Sequence, residues 1–166
     1  MNTTLLNVPF ILSTRRNHAL EHAAVHILSA RFPKRGMGGH SNPTGFFIFG
    51  DLPTEAVRSA VNEALTRLQK GEADLAIHPG CGTNYVVTGA LTALFALAGL
   101  SGTKNTRERL ERFPLLMALS VLAMMIAPPL GSALQKRVTT DSQPGTLTVL
   151  EVTRVSKTVH RVITRS

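Results

Sequence analysis

Two stretches of the chain, Leu75 to Thr103 and Phe113 to Gln135, carry no Asp, Glu, Lys or Arg, and between them lies the charged segment KNTRERLER. Within the first, YVVTGALTALFALAGLS is about as long as a bilayer-crossing helix, which needs roughly 17 to 25 apolar residues. The second, FPLLMALSVLAMMIAPPLGSAL, reaches that length only if it continues through Pro128 and Pro129, which remove backbone donors and kink or end a helix. The pattern predicts a membrane hairpin over residues 85–135, with spans at about 85–101 and 113–134. Two buried core helices of a soluble protein would give the same pattern, but so short a chain has little other protein with which to cover them.

Outside the hairpin the periodicity changes. Ser13 or Thr14 is placed to cap a helix running to about Phe32, before Pro33 and the Gly-rich KRGMGGHSNP turn segment. At 100° per residue, Leu20, Ala23, Ala24, Ile27 and Leu28 share one side. His18, His22 and His26 share the other, facing a cleft or water, with Glu21 at the border. GFFIFG at 45–50, bounded by glycines, reads as a buried strand. Pro53 opens a second amphipathic helix that Gly71 ends. ADLAI reads as a further strand, HPGCGTN as a turn with Thr83 or Asn84 as a cap, and TLTVLEVTRV and KTVHRVIT as two β-branched strands. The fold class is therefore α+β: a small mixed extramembrane domain built from residues 1–84 and 136–166, with a transmembrane helical hairpin inserted at 85–135.

Charge narrows the partners. Eighteen basic and ten acidic side chains give +8, which suits an anionic surface. Aromatic residues make up 5% with no Trp, so the stacking platform of a single-stranded nucleic-acid binder is missing, and anionic lipid headgroups are expected rather than nucleic acid. The stretch MNTTLLNVPFILSTRRN puts its apolar run before its arginines, and no secretory signal is expected. The positive-inside comparison is nearly tied: Arg67, Lys70, Lys136 and Arg137 flank the spans, against Lys104, Arg107, Arg109 and Arg112 in the loop. The single cysteine, with the missing signal, tips both termini to the cytoplasmic side of a bacterial cell membrane.

The candidate chemistry is His18-Ala19-Leu20-Glu21-His22, an H-x-x-E-H pentapeptide that places two imidazoles on one helical face beside a carboxylate. A solvated polar face or histidines at a membrane surface would look the same. A catalytic zinc site takes three protein ligands and keeps one position for water. The candidates to complete His18 and His22 are His78 and Cys81, spaced H-x-x-C, and His40 in the glycine-rich segment. Glu21 would be the catalytic base. Cys81 as a nucleophile lacks an orienting partner at a recognisable position.

The pentapeptide resembles the motif of the inverted zincins, which implies a metal-bound water activated by the glutamate and a downstream glutamate ligand; Glu72 is the nearest analogue. RRNHALEHAAVHIL, GFFIFGDLP, HPGCGTN and LGSALQKRVTT together resemble an uncharacterised family of bacterial membrane proteins found in cyanobacteria and chloroflexi. That resemblance implies a two-span membrane architecture and supplies no activity. The reading that follows is a small membrane-anchored, zinc-dependent hydrolase or peptidase. The alternatives are a non-catalytic subunit docking onto a larger membrane complex and a basic membrane-surface protein that senses lipid or pH through its histidines.

Overall fold

The computed structural model describes residues 5–166 and divides into two units. The first runs to His78 and resumes at Gln135–Ser166; the second is Pro79–Leu134.

In the first unit a short 3₁₀ turn, Leu5–Asn7, precedes helix α1, Pro9–Arg31. Strands β1, Gly38–Asn42, and β2, Gly45–Phe49, form a hairpin, and helix α2, Thr54–Gln69, follows. When the chain returns to this unit it makes a π turn at Gln135–Thr139 and ends in β3, Thr148–Ser156, and β4, Val159–Arg165. The sheet is antiparallel throughout, in the order β1-β2-β4-β3. Alternation in β4 buries His160, Val162 and Thr164 on one face. Val162 pairs with Phe46 and Val152, and these join Leu20, Leu28, Ile48, Val57, Val61 and Leu147 in one core. Ala19, Ala23, Ala24, Ala60 and Ala64 are fully buried, and their small side chains let α1 and α2 approach each other closely.

Three local expectations are corrected. Helix α1 starts at Pro9 rather than at Ser13 or Thr14: proline at the first helical position needs no amide partner, and the Thr14 hydroxyl donates back to the Phe10 carbonyl (2.9 Å) instead of capping. The glycine-rich stretch expected to be a turn contains β1, because its backbone pairs in register with β2 from Gly38↔Phe49 to Asn42↔Gly45. ADLAI is not a strand; Ala73–Ala76 is a 3₁₀ turn closed by amides of Leu75 and Ile77 on the Glu72 and Asp74 carbonyls. Of the α1 histidines expected to face a cleft or water, His22 is 2% exposed and His18 and His26 are half-buried, and Glu21 at their border is 5% exposed.

The second unit contains α3, Gly82–Leu100, α4, Thr106–Glu111, and α5, Phe113–Leu134. The expected cap at Thr83 or Asn84 is Cys81, whose sulfur accepts from the Thr83 amide (3.4 Å), while the Asn84 side-chain amide donates to the Pro79 carbonyl (2.7 Å). Asn105 caps α4 by accepting from the Glu108 amide (2.9 Å), and Glu108 reaches back to the Lys104 amide (2.7 Å). Helix α5 continues through Pro128 and Pro129 to Leu134. Gly99 lies against Leu116 and Leu119, and Gly131 lies so close to Asn84 that a Cβ there would overlap its side chain. The segments Gly82–Leu100 and Phe113–Thr139 are each long and apolar enough to cross a membrane, and few of their residues are buried within the protein. Leu94, Leu97, Met117, Met124 and Met125 are all exposed.

Candidate functional site

The site is built on α1. His18, His22 and His26 recur at intervals of four, so the helix carries them in one row. What fixes each ring is a backbone carbonyl from a non-helical segment or turn. His18 Nδ1 lies 2.9 Å from the Thr139 carbonyl in the π turn, His22 Nδ1 2.7 Å from the Ala76 carbonyl, and His26 Nε2 2.8 Å from the Ile77 carbonyl. A carbonyl only accepts, so in each pair the ring nitrogen is the N–H donor, and in the neutral ring the opposite nitrogen carries the lone pair. The tautomers are thereby set: His18 and His22 present Nε2, and His26 presents Nδ1. Outer hydrogen bonds of this type orient histidines that ligate metals.

His78 closes the row. Its ring centroid lies 4.7 Å from that of His26 and 5.7 Å from that of His22, and the His18 and His22 centroids are 4.2 Å apart. Ring nitrogens of His18 and His22 come within 4.8 Å of each other. Burial, and then the charges of His26 and His22, push the His78 imidazole down to about 4, so it is neutral and holds a lone pair at physiological pH. Its backbone is fixed by the fully buried Gln135, whose Oε1 accepts from the His78 amide (2.9 Å) and whose Nε2 donates to the His78 carbonyl (3.2 Å).

Glu21 lies against β1. Its carboxylate accepts from the Ser41 hydroxyl (2.8 Å), and it fills the space that a side chain on Gly39 would need. Burial raises its pKa above the usual carboxylate value; the Ser41 hydrogen bond and the charges of His18 and His40 pull it part of the way back. A carboxylate whose pKa is raised by burial is a better proton acceptor than an ordinary one.

The remaining candidates are His40, Glu72 and Cys81. His40 is exposed on β1, opposite Phe47. Glu72 is engaged by the Arg67 guanidinium through Nε (2.8 Å) and NH2 (2.6 Å), a pairing that lowers its pKa. Cys81 belongs to the second unit, where it is buried at the start of α3. Sequence reasoning did not find Gln135, Ser41, or the carbonyls of Ala76, Ile77 and Thr139. Gln135 alone left a trace, as the polar residue that closes a charge-free stretch.

The described residues thus bring together, within one unit, four imidazoles and a buried carboxylate. Such a donor set suits a borderline metal ion such as zinc.

Comparison with known proteins adds kinship. The chain is 41% identical over 92 residues to an uncharacterised protein of Picosynechococcus sp. (strain ATCC 27264 / PCC 7002 / PR-6), a match covering 50% of this chain and 45% of that relative. The chain therefore aligns with less than half the length of that protein. No solved structure matches it significantly. Residues 13–152 match the family described as Domain of unknown function (DUF6391), and with most of its length inside that match the chain belongs to this family.

Proposed function

We propose that this chain is an integral protein of the bacterial cell membrane whose extramembrane unit binds one zinc-type ion through His18, His22 and His78. Supporting the membrane reading are two long apolar helices with exposed Leu and Met side chains and the lack of any charged residue from Leu75 to Thr103. In this reading both termini are on the cytoplasmic side, on the strength of the single cysteine and the sequence pattern before the first helix. One observation carries the metal reading: each histidine of α1 donates one ring N–H to a backbone carbonyl, which aims the other nitrogen for ligation. Cys81 stays a candidate ligand on its chain position alone, three residues after His78.

When bound, zinc would acidify a water molecule and polarise a carbonyl. The chain's own part in a hydrolytic or peptidase reaction would fall to Glu21, which sits beside His18 with a raised pKa and accepts the proton. The test is the metal content of the detergent-purified protein. One zinc per chain is expected, reduced at least tenfold in affinity in His18→Ala and in His22→Ala, since three-ligand sites tolerate the loss of one ligand poorly. Cys81→Ser reads out whether the thiol takes part. Absence of stoichiometric metal from the wild-type protein would defeat the proposal.

A second reading, a non-catalytic subunit of a larger membrane complex, has support in the exposed Leu94, Leu97, Met124 and Met125, which suit helix-to-helix contact as well as lipid. It predicts co-purification of a stable partner in mild detergent.

A further inference from the structure

Arg15 gathers two segments that are far apart in sequence. Its NH1 donates to the Leu6 carbonyl (3.4 Å) in the 3₁₀ turn before α1. Its Nε donates to the Val138 carbonyl (2.7 Å) and its NH2 to the Thr140 carbonyl (2.9 Å) around the π turn. The backbone at residue 6 and at residues 138–140 therefore meets at the Arg15 guanidinium. The surface on either side of this junction has an unusual composition: Leu5 is 78% exposed and Phe10 69%, Val8 and Val138 are exposed too, and the exposed Lys136 and Arg137 directly precede Val138 in the chain. Large apolar side chains grouped on a surface mark a place where something covers them.

The chain itself indicates the occupant. Gln135–Thr139 follows α5 without a break, so Lys136, Arg137 and Val138 lie within four residues of the end of an apolar helix. Residues so placed reach the headgroup layer of any membrane that α5 crosses. Apolar side chains with cations among them are what an anionic bilayer interface takes up, the former dipping below the headgroups and the latter pairing with them. We propose that Leu5, Val8, Phe10 and Val138, with Lys136 and Arg137, form an interfacial foot that docks the extramembrane unit onto anionic lipid. The inference rests on the membrane reading above. It adds a second attachment, made by the start of α1, which no apolar span contains. A foot of this kind would hold α1, and with it the histidine row, at a fixed depth near the bilayer surface.

The chain has no tryptophan, so single-tryptophan variants report one position each. Phe10→Trp, a conservative change at an exposed position, and Leu97→Trp in α3 are each made in the full chain. They are reconstituted into phosphatidylglycerol vesicles carrying brominated acyl chains. The expected result is blue-shifted emission for both, with the indole at position 10 quenched most by bromines near the headgroups and the indole at position 97 by bromines deeper in the bilayer. Quenching at position 97 with water-like, unquenched emission at position 10 would overturn the foot and leave the membrane reading standing. Absence of quenching at both would overturn both. In phosphatidylcholine vesicles, or in the Lys136→Glu/Arg137→Glu background, quenching at position 10 is expected to fall at least twofold. Equal quenching in both lipids would overturn the choice of an anionic partner, and blue-shifted but unquenched emission at position 10 would assign the patch to a protein instead.

Discussion

The side chain of Gln135 holds both backbone groups of His78, accepting from its amide at 2.9 Å and donating to its carbonyl at 3.2 Å. A side-chain amide does both at once, its oxygen accepting and its NH2 donating. Gln135 is fully buried, so removing it leaves the His78 amide without this partner in a dry setting. Gln135→Leu is expected to destabilise the unit by about 1–3 kcal/mol, the cost of an unsatisfied buried polar group. Gln135→Glu, which can accept but not donate, is expected to do the same at neutral pH. Urea denaturation in mild detergent measures both. A fully stable Gln135→Leu would mean that the amide pairs with water instead.

The contact between Glu21 and β1 makes a sharper steric prediction. A Cβ on Gly39 would overlap the Glu21 carboxylate, which is buried and would have to leave its place beside the Ser41 hydroxyl to make room. Gly39→Ala is expected to cost about 1–3 kcal/mol, the usual range for overpacking. Ser41→Ala removes a hydrogen bond to an ionisable group, typically about 1.5–3 kcal/mol, without adding atoms. Thermal melts of the two variants and of Gly39→Ala/Glu21→Ala separate the effects. The double variant should recover the loss due to Gly39→Ala, because the clashing carboxylate is gone.

Much of the fold was legible. Apolar runs marked the two long helices, Pro53 and Gly71 bracketed α2, and β-branched alternation marked β3 and β4. What failed had a common physical origin, in that local signals were overridden by partners distant in sequence. The glycine-rich segment is a strand because β2 supplies its hydrogen bonds, and Ala73–Ala76 is a turn despite its apolar residues. Spacing along α1 correctly put His18, His22 and His26 in one row. It could not show that the row faces the carbonyls of residues 76, 77 and 139, and so reads as polar while being largely interior. Ser41 was invisible for the same reason, and Gln135 showed only as the polar end of a charge-free stretch.

Acid sensitivity follows from His160, which lies on β4 rather than on α1. It is fully buried opposite Ile48, with Nε2 3.2 Å from the Thr54 hydroxyl and Nδ1 buried without a hydrogen-bond partner among the described residues. Burial, and then the charge of Arg154, lower its pKa below the ordinary value near 6.5. Above about pH 6.5 the ring is neutral folded and unfolded, so it gives no pH dependence. As pH falls below that value the unfolded chain takes up the proton first, and stability is lost at up to about 1.4 kcal/mol per pH unit. His78, lowered to about 4, adds a slope of the same sign. With metal removed by chelation, denaturation midpoints measured from pH 7.5 to 5 should fall, and His160→Gln should flatten the fall. An unchanged slope in that variant would show that His160 does not titrate differently on folding.

Glu21→Gln separates structure from chemistry. The variant keeps the shape of the side chain and an oxygen that can accept from Ser41, and it removes a carboxylate that burial makes harder to ionise. With its pKa raised on folding, Glu21 binds a proton more tightly in the folded than in the unfolded chain, so its ionisation weakens the fold as pH rises through the usual carboxylate range and up to the raised value. Stability at pH 7 should therefore be equal or higher in Glu21→Gln, and the wild-type deficit should shrink at pH 5. Metal content should be unchanged, because the ligating nitrogens are set by the carbonyls of Ala76 and Thr139 and not by Glu21. Any hydrolytic turnover should drop by about 10²–10⁴-fold, the usual contribution of a general base. Metal loss accompanying Glu21→Gln would instead make Glu21 part of the ligand shell, and equal turnover would remove it from the reaction.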